Sequence, residues 1–151
     1  MNKTWKSVEL RLAKMFGTKR TPLSGGNSGH TRSDTLHKRL FIELKHGNSS
    51  IIKTMWKEWD KDVCILVKSH GIVLSMLHTN NLIERMATKL VVIERKNFGA
   101  IKLFQETEKL AKLENKIPVV ALHKKGTHGF LLIANSSDFK QIKKELTMGE
   151  I

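Results

Sequence analysis

Apolar residues recur at helical spacing near the start of the chain: Trp5, Val8, Leu12, Ala13 and Phe16 make one stripe, so residues 4 to 16 are expected to form a helix that Thr4 can cap. Gly17 then stops it. Glu9 falls inside the stripe, about 40° from Trp5 at helical rotation, so an acid points inward from an apolar face. The pattern switches to period two at Leu40-Phe41-Ile42-Glu43-Leu44-Lys45, a strand over 40 to 45. Phe41, Glu43 and Lys45 share one face of it, and Leu40, Ile42 and Leu44 the other.

Further along, Ser49 or Ser50 can cap a helix through Ile51, Ile52, Met55, Trp56 and Trp59. Strand-like runs follow at 63 to 67 and 72 to 77 around a His70-Gly71 turn, then a short helix near 80 to 87 and a buried-strand run at 90 to 93. A helix over 101 to 114 is expected to turn Ile101, Phe104, Leu110 and Leu113 inward. Strands at 119 to 122 and 129 to 134 flank a Lys124-Lys125-Gly126 turn. A last helix, capped by Ser136 or Ser137, buries Phe139, Ile142 and Leu146 and shows Lys140, Lys143 and Lys144 outward. FIELK, helix, VCILV, turn and IVLSML are echoed by VIERK, helix, VVAL, turn and FLLI, either by duplication or by a shared strand-helix-strand grammar. Such alternation makes an α/β domain, and 151 residues suffice for one core but not two.

The long break in periodicity, residues 17 to 33, reads GTKRTPLSGGNSGHTRS. Its Lys19, Arg20, His30 and Arg32 beside exposed glycine amides suit phosphate contacts. Charge strengthens that expectation: 27 Lys and Arg against 14 Asp and Glu leave +13, spread along the whole chain. So large an excess in a small domain costs stability through self-repulsion, and a polyanionic partner is expected. The lone cysteine, Cys64, sits in an apolar run where a buried inert thiol is expected. No apolar run reaches membrane-spanning length and the N-terminus lacks the core of a signal peptide, so a cytoplasmic location without membrane contact is expected.

Hydrolysis of a phosphodiester needs charge neutralisation on the phosphate, an activated water and a stabilised leaving oxygen. Two carboxylates holding Mg²⁺ beside a lysine can supply all three. Asp34, Glu43 and Lys45 offer that set. Glu9 could join it, directly or through water. An E-x-K on a strand is alone a weak signal, since a surface ion pair has the same spelling. The rival pair, Glu94 and Lys96, has Arg85 at the upstream distance where a metal site wants an acid.

WKSVELRLAKMFG, KRTPLSGGNSG and SDTLHKRLFIELK together resemble the PD-(D/E)XK nucleases, the restriction-endonuclease-like superfamily that includes archaeal Holliday-junction resolvases and some phage and homing endonucleases. KIPVVALHKKGTHGFLLIANSSDF is similar to the closing strand-turn-strand-helix of that group. The resemblance covers roughly residues 4 to 58 and 100 to 142, and Ser33 stands where the motif has Pro. It implies a single nuclease domain over 1–151, with a central mixed β-sheet flanked by helices and an insertion around 59–96 for recognition, oligomerisation or plain core packing. It implies Asp34 as the motif's Asp, Glu43 and Lys45 as its (D/E)-x-K, and Glu9 as the helix Glu of the resolvase branch, with Asp34, Glu43 and Glu9 around Mg²⁺ or, in its place, Mn²⁺. Arg20, Ser24, Arg32 and His37 are the expected DNA contacts. With the 59–96 segment and the long basic loop favouring site recognition, the function expected is site-specific cleavage of double-stranded DNA, of homing or restriction type, by a homo-oligomer, dimer or tetramer. The alternatives are a structure-selective junction resolvase and a DNA-binding module without turnover.

Overall fold

A computed structural model describes residues 5–22, 31–60, 68–69, 72–79, 87–90, 98–127 and 129–150. The expected Thr4 cap, the loop centre with Ser24 and His30, the 63–67 run with Cys64, and the pair Glu94 and Lys96 lie outside the described residues. The elements run α1 (Trp5–Met15), β1 (Leu40–Gly47), α2 (Ser50–Asp60), β2 (Lys68–Ser69), β3 (Ile72–Thr79), β4 (Ala87–Leu90), α3 (Phe98–Leu113), β5 (Ile117–Lys124), β6 (Phe130–Asn135) and α4 (Phe139–Glu150). The architecture is mixed α/β. Strand order is β1-β5-β6-β3, with β2 and β4 also paired to β3. β1 lies parallel to β5 in the register Glu43↔Val120 and Lys45↔Leu122, and the other pairings are antiparallel. β3 pairs with β6, so part of the segment expected as an insertion is a strand of the sheet.

β5 and β6 are buried on both faces, which is why VVAL and FLLIA are continuously apolar and do not alternate. α3 packs on β5 and β1, α2 on the same two strands, and α1 on β1 and α4. In α1, Val8, Leu12, Ala13, Met15 and Phe16 are all buried. The helix stops where Gly17 adopts φ 67°, a left-handed backbone that glycine takes without strain. Gly17 N–H then bonds to the Lys14 carbonyl (3.0 Å) and Thr18 N–H to the Ala13 carbonyl (2.9 Å), closing the last turn. Ser49 caps α2 through the Ile52 N–H (3.4 Å).

Four expectations need correction. Trp5 is 46% exposed and not in the core. Leu113 is 83% exposed, because the buried stripe of α3 is Ala100, Ile101, Phe104, Thr107 and Ala111. Leu110 and Leu113 sit about 120–180° round the helix from Ile101. β4 starts at Ala87, where a helix end was expected, and finishes at Leu90, where a strand was expected to begin; a short apolar run marks a strand's neighbourhood and not its ends. Ser136 belongs to a 3₁₀ turn over Ser136–Asp138 that leads into α4. The remaining α4 pattern agrees with expectation: Phe139, Ile142 and Leu146 are buried.

Candidate functional site

Among the described strands β1 lies at the edge of the sheet, and an edge leaves backbone groups without a ladder partner. Here Ser33 and Asp34 take that role. Ile42 N–H donates to Ser33 Oγ (2.9 Å), Ser33 Oγ donates to the Ile42 carbonyl (3.2 Å), and Asp34 N–H donates to the same carbonyl (2.8 Å). The next free amide, Leu44 N–H, donates to Asp34 Oδ2 at 2.7 Å. Asp34 is therefore fixed against the strand that carries Glu43 and Lys45.

The dipeptide is itself held from both sides. Residues 19–21 run antiparallel to 34–36: Thr21 N–H donates to the Asp34 carbonyl (3.1 Å), Leu36 N–H to the Lys19 carbonyl (2.8 Å), and Arg20 bridges Thr35. Thr21 Oγ1 donates to the Ser33 carbonyl at 2.7 Å. Upstream, the Thr31 hydroxyl and the Arg32 amide (3.1 Å) both donate to Glu114 at the end of α3.

Glu9 reaches the same place from α1. That helix is seated by its apolar stripe and by Arg11, whose Nη2 lies 3.0 Å from His123 Nε2 and whose guanidinium carbon lies 5.2 Å from the Phe130 ring centre. Glu9 is 5% exposed, pairs with Arg20 Nε at 3.4 Å, and shares a hydrogen bond with Asp34. Lys45 Nζ stands 3.4 Å from Glu43 Oε1, with the lysine half exposed and the glutamate mostly covered. Glu9, Asp34, Glu43 and Lys45 thus lie in one cluster.

Three carboxyl groups with two nearby cations do not ionise freely. Burial pushes Asp34 up to about 6; the Leu44 N–H works against the rise, the Glu9 charge adds to it, and Lys45 opposes it. Glu43 is raised by burial and then by the Asp34 charge, against Lys45. Glu9 is raised by burial, against the charge and hydrogen bond of Arg20. The closeness of the Glu9 and Asp34 carboxyls also adds to the rise of Asp34.

Among the described residues no group of three or more His, Cys, Asp or Glu is arranged to hold a metal ion. Glu9, expected as a third ligand beside Asp34 and Glu43, is engaged by Arg20 at 3.4 Å. A two-carboxylate set remains. Mg²⁺ is commonly held through one or two carboxylates, with water and phosphate completing its shell, so Asp34 and Glu43 fit that ion. A cation between them would also relieve the repulsion that raises both groups.

Of the expected contact residues, Arg32 is exposed, while Arg20 is turned to Glu9 and lies 5.7 Å from the Trp5 ring centre. His37 requires correction. It is buried, its Nδ1 accepts from the amides of Arg39 and Leu40 (both 3.0 Å), and its Nε2 lies 3.3 Å from Glu145. Two donors on Nδ1 place the proton on Nε2, and burial lowers its affinity for a second one. Such a ring is structural and is not offered to a phosphate. Sequence reasoning missed Ser33, Thr21 and Glu114, although Ser and Thr clustered about a turn Asp are a known sign of side-chain-to-backbone bonding.

Among the described residues no helix is long and apolar enough to cross a membrane. The chain matches no family model, no curated protein and no solved structure.

Proposed function

We propose that the chain is a Mg²⁺-dependent DNA endonuclease of the PD-(D/E)XK type, hydrolysing phosphodiester bonds of double-stranded DNA at specific sites. The observation that carries the reading is the fixing of Asp34 Oδ2 on Leu44 N–H at 2.7 Å, directly beside the Glu43 and Lys45 pair. Asp34 and Glu43 would hold the ion, which supplies Lewis-acid polarisation of the phosphate and a more acidic water. Lys45, half exposed at the cluster, orients the attacking water and offsets charge that develops on the phosphorane oxygens. Glu9 keeps Asp34 in place and gives Arg20 an anchor. The charge of +13 supplies the attraction for the phosphate backbone.

One such site cuts one strand, so a double-strand cut calls for a homo-oligomer of at least two chains. The test is incubation with Mg²⁺ of a random-sequence plasmid library and of a synthetic four-way junction, in parallel. Cuts at discrete plasmid sites are expected. Cutting of the junction alone would make the chain a resolvase, and binding without cutting of either would make it a DNA-binding module. DNA affinity should fall steeply as salt rises, and a flat response would remove the nucleic-acid partner altogether.

A further inference from the structure

Among the described residues three large apolar side chains are exposed: Trp5 at 46%, Leu10 at 45% and Leu113 at 83%. Trp5 differs from the leucines in its surroundings. The Arg20 guanidinium carbon lies 5.7 Å from its ring centre and the Lys6 ammonium 5.8 Å. Arg20 is bonded in turn to Glu9, which stands one helical turn from Trp5, about 6 Å along the axis and on the same side of α1. The indole therefore stands at the rim of the acidic cluster with two cations near its ring.

That setting selects the occupant. A second copy of this chain packed by the same face would bring its own Lys6 and Arg20 against these two, at a like-charge cost. A nucleobase has a flat face that stacks on indole, and the phosphates on either side of it match the two cations. Arg20 is held by its backbone bridge to Thr35 and by Glu9, so it stays in place. Lys6 is exposed on the helix surface and is free to swing from the ring to a phosphate.

We propose that Trp5 is a base-stacking residue: it receives a nucleobase drawn out of the helical stack next to the phosphate held at Asp34, Glu43 and Lys45, while Arg20 and Lys6 take the adjoining phosphates. This rests on the endonuclease reading for the presence of DNA, and it adds that the DNA is locally unstacked when bound. Trp5 is then a positioning residue that sets which backbone bond lies over the carboxylates.

The test is binding without divalent ion, read by fluorescence anisotropy of the full chain. Two labelled duplexes are compared, one with an extrahelical thymine and one with an abasic residue in its place. The wild-type chain should favour the thymine duplex by roughly 5- to 100-fold. Trp5→Ala and Trp5→Leu should reduce that preference to about one while leaving abasic-duplex affinity within about twofold; Leu keeps apolar volume in the helix without a flat ring. Equal affinity of the wild type for both duplexes, a preference that survives in either variant, or an equal loss on both duplexes would overturn the proposal. Base preference in a chain that never cuts with Mg²⁺ would sink the endonuclease reading and leave stacking standing, whereas cutting without base preference would do the reverse.

Discussion

The two ends of β1 bury carboxyl groups and treat them in opposite ways. At the Leu40 end, Glu145 receives Arg39 through two bonds (2.5 and 2.9 Å), Gln141 at 2.7 Å and His37 at 3.3 Å. These partners, the Arg39 bond foremost, hold Glu145 down to about 2. A few residues along, Glu9, Asp34 and Glu43 have Arg20 and Lys45 between them, and all three are raised. A network whose only task is to hold a fold satisfies its acid. A cluster of buried acids left short of positive charge costs stability, and such clusters concentrate where a ligand or reaction completes them.

The largest effect that could break this contrast lies in catalysis. Asp34→Asn and Lys45→Ala should each lower Mg²⁺-dependent cleavage by more than about 100-fold, with DNA affinity largely kept, whereas Glu145→Gln should leave cleavage near wild type. Parallel single-turnover and binding assays decide it. Equal losses of cutting and binding would refute the role given to the cluster.

Stability against pH comes next. Asp34 titrates near 6 when folded and near 3.8 when exposed, so between those values the folded chain holds a proton that the unfolded chain has lost. Stability without metal should therefore rise as pH falls from above 6 towards 4, by up to about 3 kcal/mol from this group. Glu145 has the reverse sign: its contribution is present above about 4.5 and is lost as pH falls towards 2. Urea unfolding at pH 7.5 and 4.5 checks the first limb, and Asp34→Asn should flatten it.

Two smaller effects sharpen the comparison. Glu145→Ala leaves the buried His37 Nε2–H without its acceptor and should destabilise the fold by about 1–3 kcal/mol in urea, with little dependence on Mg²⁺. Ser33→Ala removes the hydroxyl that serves both backbone groups of Ile42 and should cost about 1 kcal/mol. It should also slow cleavage by loosening Asp34, and Ser33→Thr should recover most of both losses.

How much of this was legible in the sequence follows from what a pattern encodes. Period two put Glu43 and Lys45 on one face of β1, and helical rotation turned Glu9 inward; both readings concern direction, which local geometry fixes. Partners are another matter. Arg20 and Glu9 meet only because 19–21 pairs with 34–36, and Arg39 meets Glu145 across 106 positions of sequence. Neither contact is written in local spacing, so the Glu9 anchor of Arg20 went unseen and His37 read as a DNA contact. Trp5 misled in the same way: its spacing fits the buried stripe, but it stands half exposed at the start of α1 with Arg20 and Lys6 beside it.

The most direct test of the central claim is thermal unfolding at pH 7.5 as Mg²⁺ is added to wild type, Asp34→Asn and Glu145→Gln. An acidic cluster that a cation completes predicts a melting temperature that climbs with Mg²⁺ in wild type and in Glu145→Gln, and stays level in Asp34→Asn. A wild-type chain indifferent to Mg²⁺, or an Asp34→Asn chain that responds as wild type does, would contradict it.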